Sequence, residues 1–174
     1  MAPVSTPLGG FAIDGNLVAN QPAGGTGDWL KLPSVPGIAK GVVALNGIPL
    51  TSNVTFHYLD AANGSPDNIF QGGKVDGDPN DWSWKMGSTS DKTDINNVLF
   101  HVTTDAEGHV WLVVSADRLS NSGASYIDFE FLQNTLQKNS NFTFTSQGPN
   151  GGRTTNDLLL SLAFPGGGTG ADFF

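Results

Sequence analysis

The sequence predicts an all-β protein, an antiparallel two-sheet sandwich with jelly-roll-like order, from three observations. Glycine (23) and proline (10) are frequent in 174 residues and Asn, Ser and Thr are abundant, which favours turns over long helices. Segments that alternate apolar and polar residues recur through the second half. No segment carries a 3.6-residue apolar rhythm, and no repeat recurs at a fixed period.

In chain order, short strands are expected at 11–14 and 42–45, followed by VTFHYL at 54–59. NNVLFHVTT at 96–104 sets Val98, Phe100 and Val102 on one face and Asn97, Leu99 and His101 on the other. HVWLVVSADR at 109–118 sets Val110, Leu112, Val114 and Ala116 against Trp111, Val113 and Ser115. Asp105 to Gly108 between them has the composition of a hairpin loop. The pattern leaves open which face is buried. SYIDFEFLQ at 125–133 has Ile127, Phe129 and Phe131 as its apolar row and Tyr126, Asp128 and Glu130 as its polar one. The polar loop RLSNSGA before it suits an antiparallel return, so 96–132 reads as a three-stranded meander. Further strands are expected at 141–145 (NFTFT) and 156–164 (NDLLLSLAF), and ADFF begins another. Several strands punctuated by Pro36, Pro49, Pro66, Pro79 and the glycine-rich turns at 148–154 and 165–170 indicate two packed sheets. Neither glycine stretch has the strand-loop-helix setting of a phosphate loop.

The length suits one domain, residues 1–174, with a core of its own. A formal charge of -8 repels phosphate backbones and anionic lipid, so nucleic acid is not an expected partner. With no cysteine there is no disulfide, thiolate chemistry or Cys-ligated metal. No run approaches the 18 or more apolar residues of a membrane-spanning helix, so membrane insertion is not expected. MAPVSTPLGG lacks the regions of a signal peptide, so export would make this chain a mature or excised part.

Three sets of residues carry candidate chemistry. Asp76, Asp78, Asn80 and Asp81 in VDGDPNDW are closely spaced oxygen ligands of the kind calcium takes, with Asp14 and Asn16 of IDGN as possible additions. The spacing is not that of an EF-hand, and the competing reading is Asx-turn chemistry. Trp82 and Trp84 are two apart, so in an extended segment both project to one side as a stacking platform for a sugar; core packing is the competing reading. In SDKTDINN, Ser90 and Asp91 suit local capping ahead of the strand, and the competing reading is a contribution of Asp91 or Asp94 to metal binding. If the meander forms, Tyr126, Asp128 and Glu130 share a face with His101 and Trp111 as a binding patch, and Asp128 with Glu130 would be the pair for glycoside hydrolysis. Arg118 and Arg153 are the cations available to pair with those acids.

FAIDGNLVANQPAGGTGDW, DWSWKMGSTSDKTDINNVLF, WLVVSADRLSNSGASYIDFEFLQ and GPNGGRTTNDLLLSLAF, in that order, resemble a β-sandwich domain of large secreted bacterial surface proteins. That domain is similar in architecture to DOMON-type and family-9-type carbohydrate-binding sandwiches, whose members bind sugars, haem or calcium. The resemblance implies an extracellular, secreted or cell-surface location and a non-catalytic adhesion role, with carbohydrate or another surface protein as partner. Haem in such a sandwich would need Met86 with His57, His101 or His109. The alternative is a self-assembling filament or biofilm-matrix subunit, a homo-polymer joined by strand addition through a segment such as ADFF.

Overall fold

The computed structural model describes residues 28–30, 41–60, 67–73, 75–105, 107–165 and 171–174. The strand expected at 11–14 and the IDGN turn lie outside them. The described residues are almost entirely β, paired into several sheets that are antiparallel apart from β1 (Asp28–Leu30) with β2 (Gly41–Val43). They fall into two compact units, Met1–Asp60 with Asn97–Asp117, and Ala61–Asn96 with Arg118–Phe174.

In the first unit β3 (Thr55–Leu59) pairs antiparallel with β6 (Ile95–Thr104), and β7 (Val110–Arg118) lies on the other side of β6. Trp29, Val43, Leu99 and Val113 form one buried cluster with Leu30 and Val42 packed against it, so the β1–β2 pair and the β3–β6–β7 sheet share a core. This settles which face is inward. Leu99 is 2% exposed and Val113 6%, whereas Val110 is 73% exposed. The inward rows are therefore those of Leu99 and Val113. The Phe100 row lies on the opposite face, where Phe100 meets Phe56 at 5.7 Å. Burial lowers His101 below its ordinary 6.5, and its Nδ1 lies 2.9 Å from Thr55 Oγ1.

The second unit holds β4 (Asp67–Gln71) paired with β5 (Ser83–Gly87), β9 (Leu136–Lys138) with β10 (Phe144–Ser146), and β8 (Ser125–Phe131) in the order β12–β11–β8. β11 is Leu158–Phe164 and β12 is Asp172–Phe173. The expected meander is thus corrected: β8 pairs with β11, not with β7. The register explains the choice. Ile127, Phe129 and Phe131 lie opposite Leu162, Leu160 and Leu158, an unbroken row of apolar cross-strand pairs. The loop that leaves β7 is tied to the segment just ahead of β6 by bonds from Leu119 N to Asp94 O and from Ser120 N to Asp91 O. Asp91 and Asp94 therefore organise that loop through their backbone carbonyls. Trp82 joins the β4–β5 and β9–β10 hairpins, meeting Phe70 at 5.6 Å and Phe144 at 6.4 Å, both edge to face.

The assignment of faces has a direct test in urea unfolding. Leu99→Ala is expected to cost about 2–5 kcal/mol through lost burial and the cavity it leaves. Val110→Ala, on the opposite face of β7, is expected to cost under about 1 kcal/mol.

Candidate functional site

The loop between β4 and β5 is shaped by backbone that only some residues tolerate. Gly72, Gly73 and Asp76 have positive φ, and a 3-10 turn, Pro79–Asp81, follows. Asp78 caps that turn, its Oδ1 accepting from Asn80 N at 2.8 Å and from Asn80 Nδ2 at 3.0 Å. Asn80 Oδ1 in turn accepts from Ser146 N at 2.8 Å. The turn is pressed against Gly151 and Gly152, both at positive φ. A Cβ on Gly152 would lie 2.5 Å from Asp78 Oδ1 and 2.7 Å from Asn80 Nδ2, so glycine is required there for contact as well as conformation.

Arg153, next in sequence, connects the loop to β8. Its Nε donates to the Gly77 carbonyl at 2.8 Å, its Nη2 meets Glu130 Oε2 at 2.7 Å, and its guanidinium lies 5.5 Å from the Trp82 ring. The Glu130 contact is an ion pair whose angles fall short of hydrogen-bond geometry. Both side chains are largely withdrawn from water, which strengthens the attraction. Above this frame opens a cleft of about 370 Å³ lined by Gly73, Gly77, Asp78 and Asp81. Gly73 lies directly over Trp82, where a Cβ would come within 2.3 Å of Cδ1.

The residues singled out from sequence separate accordingly. Asp78 and Asp81 line the cleft, Asn80 is turned to Ser146, and Asp76 stands at φ 67 with its N–H 3.5 Å from Glu130 Oε1. Trp82 is 7% exposed and packs. Trp84 is half-buried: Phe142 lies 4.9 Å away, Lys138 Nζ stands 3.9 Å above its ring, and Nε1 donates to Asn139 O at 3.0 Å. The two tryptophans do not form an open platform. Tyr126 is exposed, Asp128 accepts from Ser161 Oγ, and Glu130 is paired to Arg153. Because β8 does not adjoin β7, no single sheet carries these three with His101 and Trp111. Met86 is exposed on β5.

A second acidic group was not singled out from sequence. Asp105, Glu107 and His109 bring one ligand atom each within 4.8 Å of one another. Asp105 is buried, and its four acceptor positions are used: Oδ1 takes Glu107 N at 3.1 Å and His109 N at 2.8 Å, Oδ2 takes His109 Nδ1 at 2.8 Å and Trp111 Nε1 at 3.0 Å. Its work is to shape the β6–β7 turn. The D-x-E-G-H-x-W spacing was the available signal, since an aspartate opening a tight turn can accept from residues two and four further on. Asp157 acts likewise. The backbone N–H groups of Thr154 and Gln133, with Gln133 Nε2, hold its carboxyl below its ordinary 3.8.

No family model, curated protein or solved structure matches the chain.

Two outcomes follow from these carboxylates. Asp105→Asn leaves one oxygen for four donors and is expected to lower stability by about 2 kcal/mol in urea unfolding, whereas Glu107→Gln stays near wild type. On acidification, stability should fall in two steps. His101, preferring the neutral form in the fold, contributes above 6.5 and loses that contribution as pH drops through its lowered value. Asp157, preferring the charged form, contributes above 3.8 and loses it as pH drops through its own. Thermal melts across pH should show Asp157→Asn flattening the more acidic step only.

Proposed function

We propose that the chain is a non-catalytic extracellular surface or adhesion module that takes a hydroxyl-rich ligand, carbohydrate, in the cleft of Gly73, Gly77, Asp78 and Asp81. The observation that carries this reading is the cleft itself. Its volume of about 370 Å³ is within the range of small-molecule sites. Its two carboxylates are acceptors for sugar hydroxyls, and its two glycines leave backbone within reach. Asp78 is bonded to Asn80 and the Gly77 carbonyl to Arg153, contacts that reduce the ordering required on binding.

A binding rather than hydrolytic role is supported by the use made of the other acids. Asp128 is engaged by Ser161 and Glu130 by Arg153, so neither stands ready as a proton donor or nucleophile. For calcium, the cleft offers Asp78 Oδ2 and the Asp81 carboxylate, a fraction of the six to eight oxygens that ion takes. Asp78 Oδ1 and the Gly77 carbonyl are already bonded to protein donors. A calcium here would draw its remaining ligands from water and ligand hydroxyls.

One observation favours the filament reading as a second. Phe174 N donates to Ser161 O at 3.0 Å and Ser161 N to Phe174 O at 3.3 Å, so the edge of β11 accepts an extended segment through main-chain bonds. The same segment from another copy would make the same bonds.

A glycan array followed by calorimetry with the best-retained sugar tests the first reading, with and without chelator. Asp81→Asn is expected to weaken binding at least about tenfold, the worth of one hydrogen bond to a charged group, while Asp128→Asn leaves affinity unchanged. Equal affinity in wild type and Asp81→Asn would sink the assignment. Polymers in size-exclusion chromatography and negative stain would instead select the filament.

A further inference from the structure

His57 lies on β3 in the first unit, on the same face of the strand as buried Thr55. Its ring is held between two oxygens: Nδ1 is 2.8 Å from the Gly47 carbonyl and Nε2 is 2.7 Å from Asn97 Oδ1. The far end of the Asn97 side chain decides its orientation. Nδ2 donates to Asp117 Oδ2 at 2.8 Å, and Asp117 Oδ1 accepts the Asn97 backbone N–H at 2.7 Å. An ionised carboxylate only accepts, so the amide nitrogen must face Asp117 and the amide oxygen must face His57. A neutral imidazole carries one N–H and one lone pair. Placed between two acceptors, it makes one bond and sets a lone pair against an oxygen at the other. The imidazolium makes both.

From this geometry we infer that His57 is a proton-dependent latch, whose imidazolium ties the 44–50 turn to β6 and whose neutral form releases one of the two ties. The counter-charge is Asp117 on β7, reached through the Asn97 amide. Of the other ionisable groups on the elements around it, Tyr58 on β3 is exposed, Arg118 at the end of β7 is bonded to Ser125 Oγ, and His101 and Asp28 remain. His101 is two register pairs along β6 and bonded to Thr55; Asp28, on β1, accepts the Trp29 N–H. Gly47 makes the approach possible: its φ is 81°, and a Cβ there would lie 3.0 Å from His57 Nδ1. The turn's own bonds are Gly47 N to Ala44 O at 2.8 Å and Ala44 N to Ile48 O at 2.9 Å, and it presents Leu45, Ile48 and Leu50 to solvent. The latch therefore sets how firmly an apolar turn is held.

The test is long-range correlation NMR of the imidazole nitrogens in the full chain, followed through a pH titration together with amide exchange at Ala44 and Gly47. Both ring nitrogens of His57 are expected to carry protons at the acidic end. As one proton leaves, the Asn97 side-chain amide should shift in step, and exchange at Ala44 and Gly47, corrected for intrinsic rate, should quicken roughly fivefold, the worth of one ordinary hydrogen bond. In His57→Gln that step in exchange should be absent. Asn97 resonances and turn exchange that stay flat while His57 titrates would overturn the latch, and this reading of the wild-type chain holds whether or not the variant folds.

Discussion

Arg153 is the group on which the second unit's loop architecture depends. Taking a guanidinium out of water is expensive unless its donors and its charge are both answered. Here the Gly77 carbonyl takes Nε, Glu130 supplies the opposite charge, and Trp82 lies under the cation. Gly77 and Trp82 belong to the 72–82 loop and Glu130 to β8, so one side chain fastens its own segment to two separate pieces of chain. Removing Glu130 would leave a buried cation without its counter-charge, and removing Arg153 would do the reverse. The two glycines that precede Arg153 allow its backbone to reach Asp78 closely enough for the reach to succeed.

The chain's excess of acids is best understood as turn chemistry. Asp78 caps a 3-10 turn, Asp105 gathers four donors in the β6–β7 turn, and Asp157 takes two backbone N–H groups in the loop before β11. Each satisfies backbone donors that a tight turn would leave without a strand partner. A protein with few helices and many short strands has many such donors. Aspartate and asparagine are the residues whose short side chains reach them.

The alternation of residues made the strands at 95–104, 110–118 and 125–131 legible, because a period of two is a local property, while 158–164 was marked instead by its apolar run between turn residues. It could not show which row of β6 is buried. Both rows of that strand carry large apolar side chains, and the decision belongs to Trp29 and Val43, which are far away in sequence. The partner of β8 was hidden for the same reason. A polar loop after β7 is compatible with return to β7 or departure from it, and the apolar row of Leu158, Leu160 and Leu162 outcompetes the nearer neighbour. The strands at 28–30, 67–71 and 136–138 are too short or too mixed in composition to announce themselves.

The candidate site shows where local reasoning ends. The acids at 76–81 were legible as a group, and so was the choice between ligand chemistry and Asx turns; the fold shows the turn chemistry at Asp78 and leaves Asp78 and Asp81 along a cleft. Asp78 Oδ1 is spent on Asn80, while Asp78 also lines the cleft with Asp81. What divides these uses is contact from residues 146–153, some seventy positions later, which occupy one side of the turn and leave the other open. The tryptophans follow the same logic in reverse. Two indoles spaced two apart suggest a platform only while nothing is known to cover them, and Arg153, Phe142 and Lys138 supply the cover. A binding surface on such a sandwich is therefore set less by which residues are aromatic or acidic than by which of them the returning loops leave uncovered.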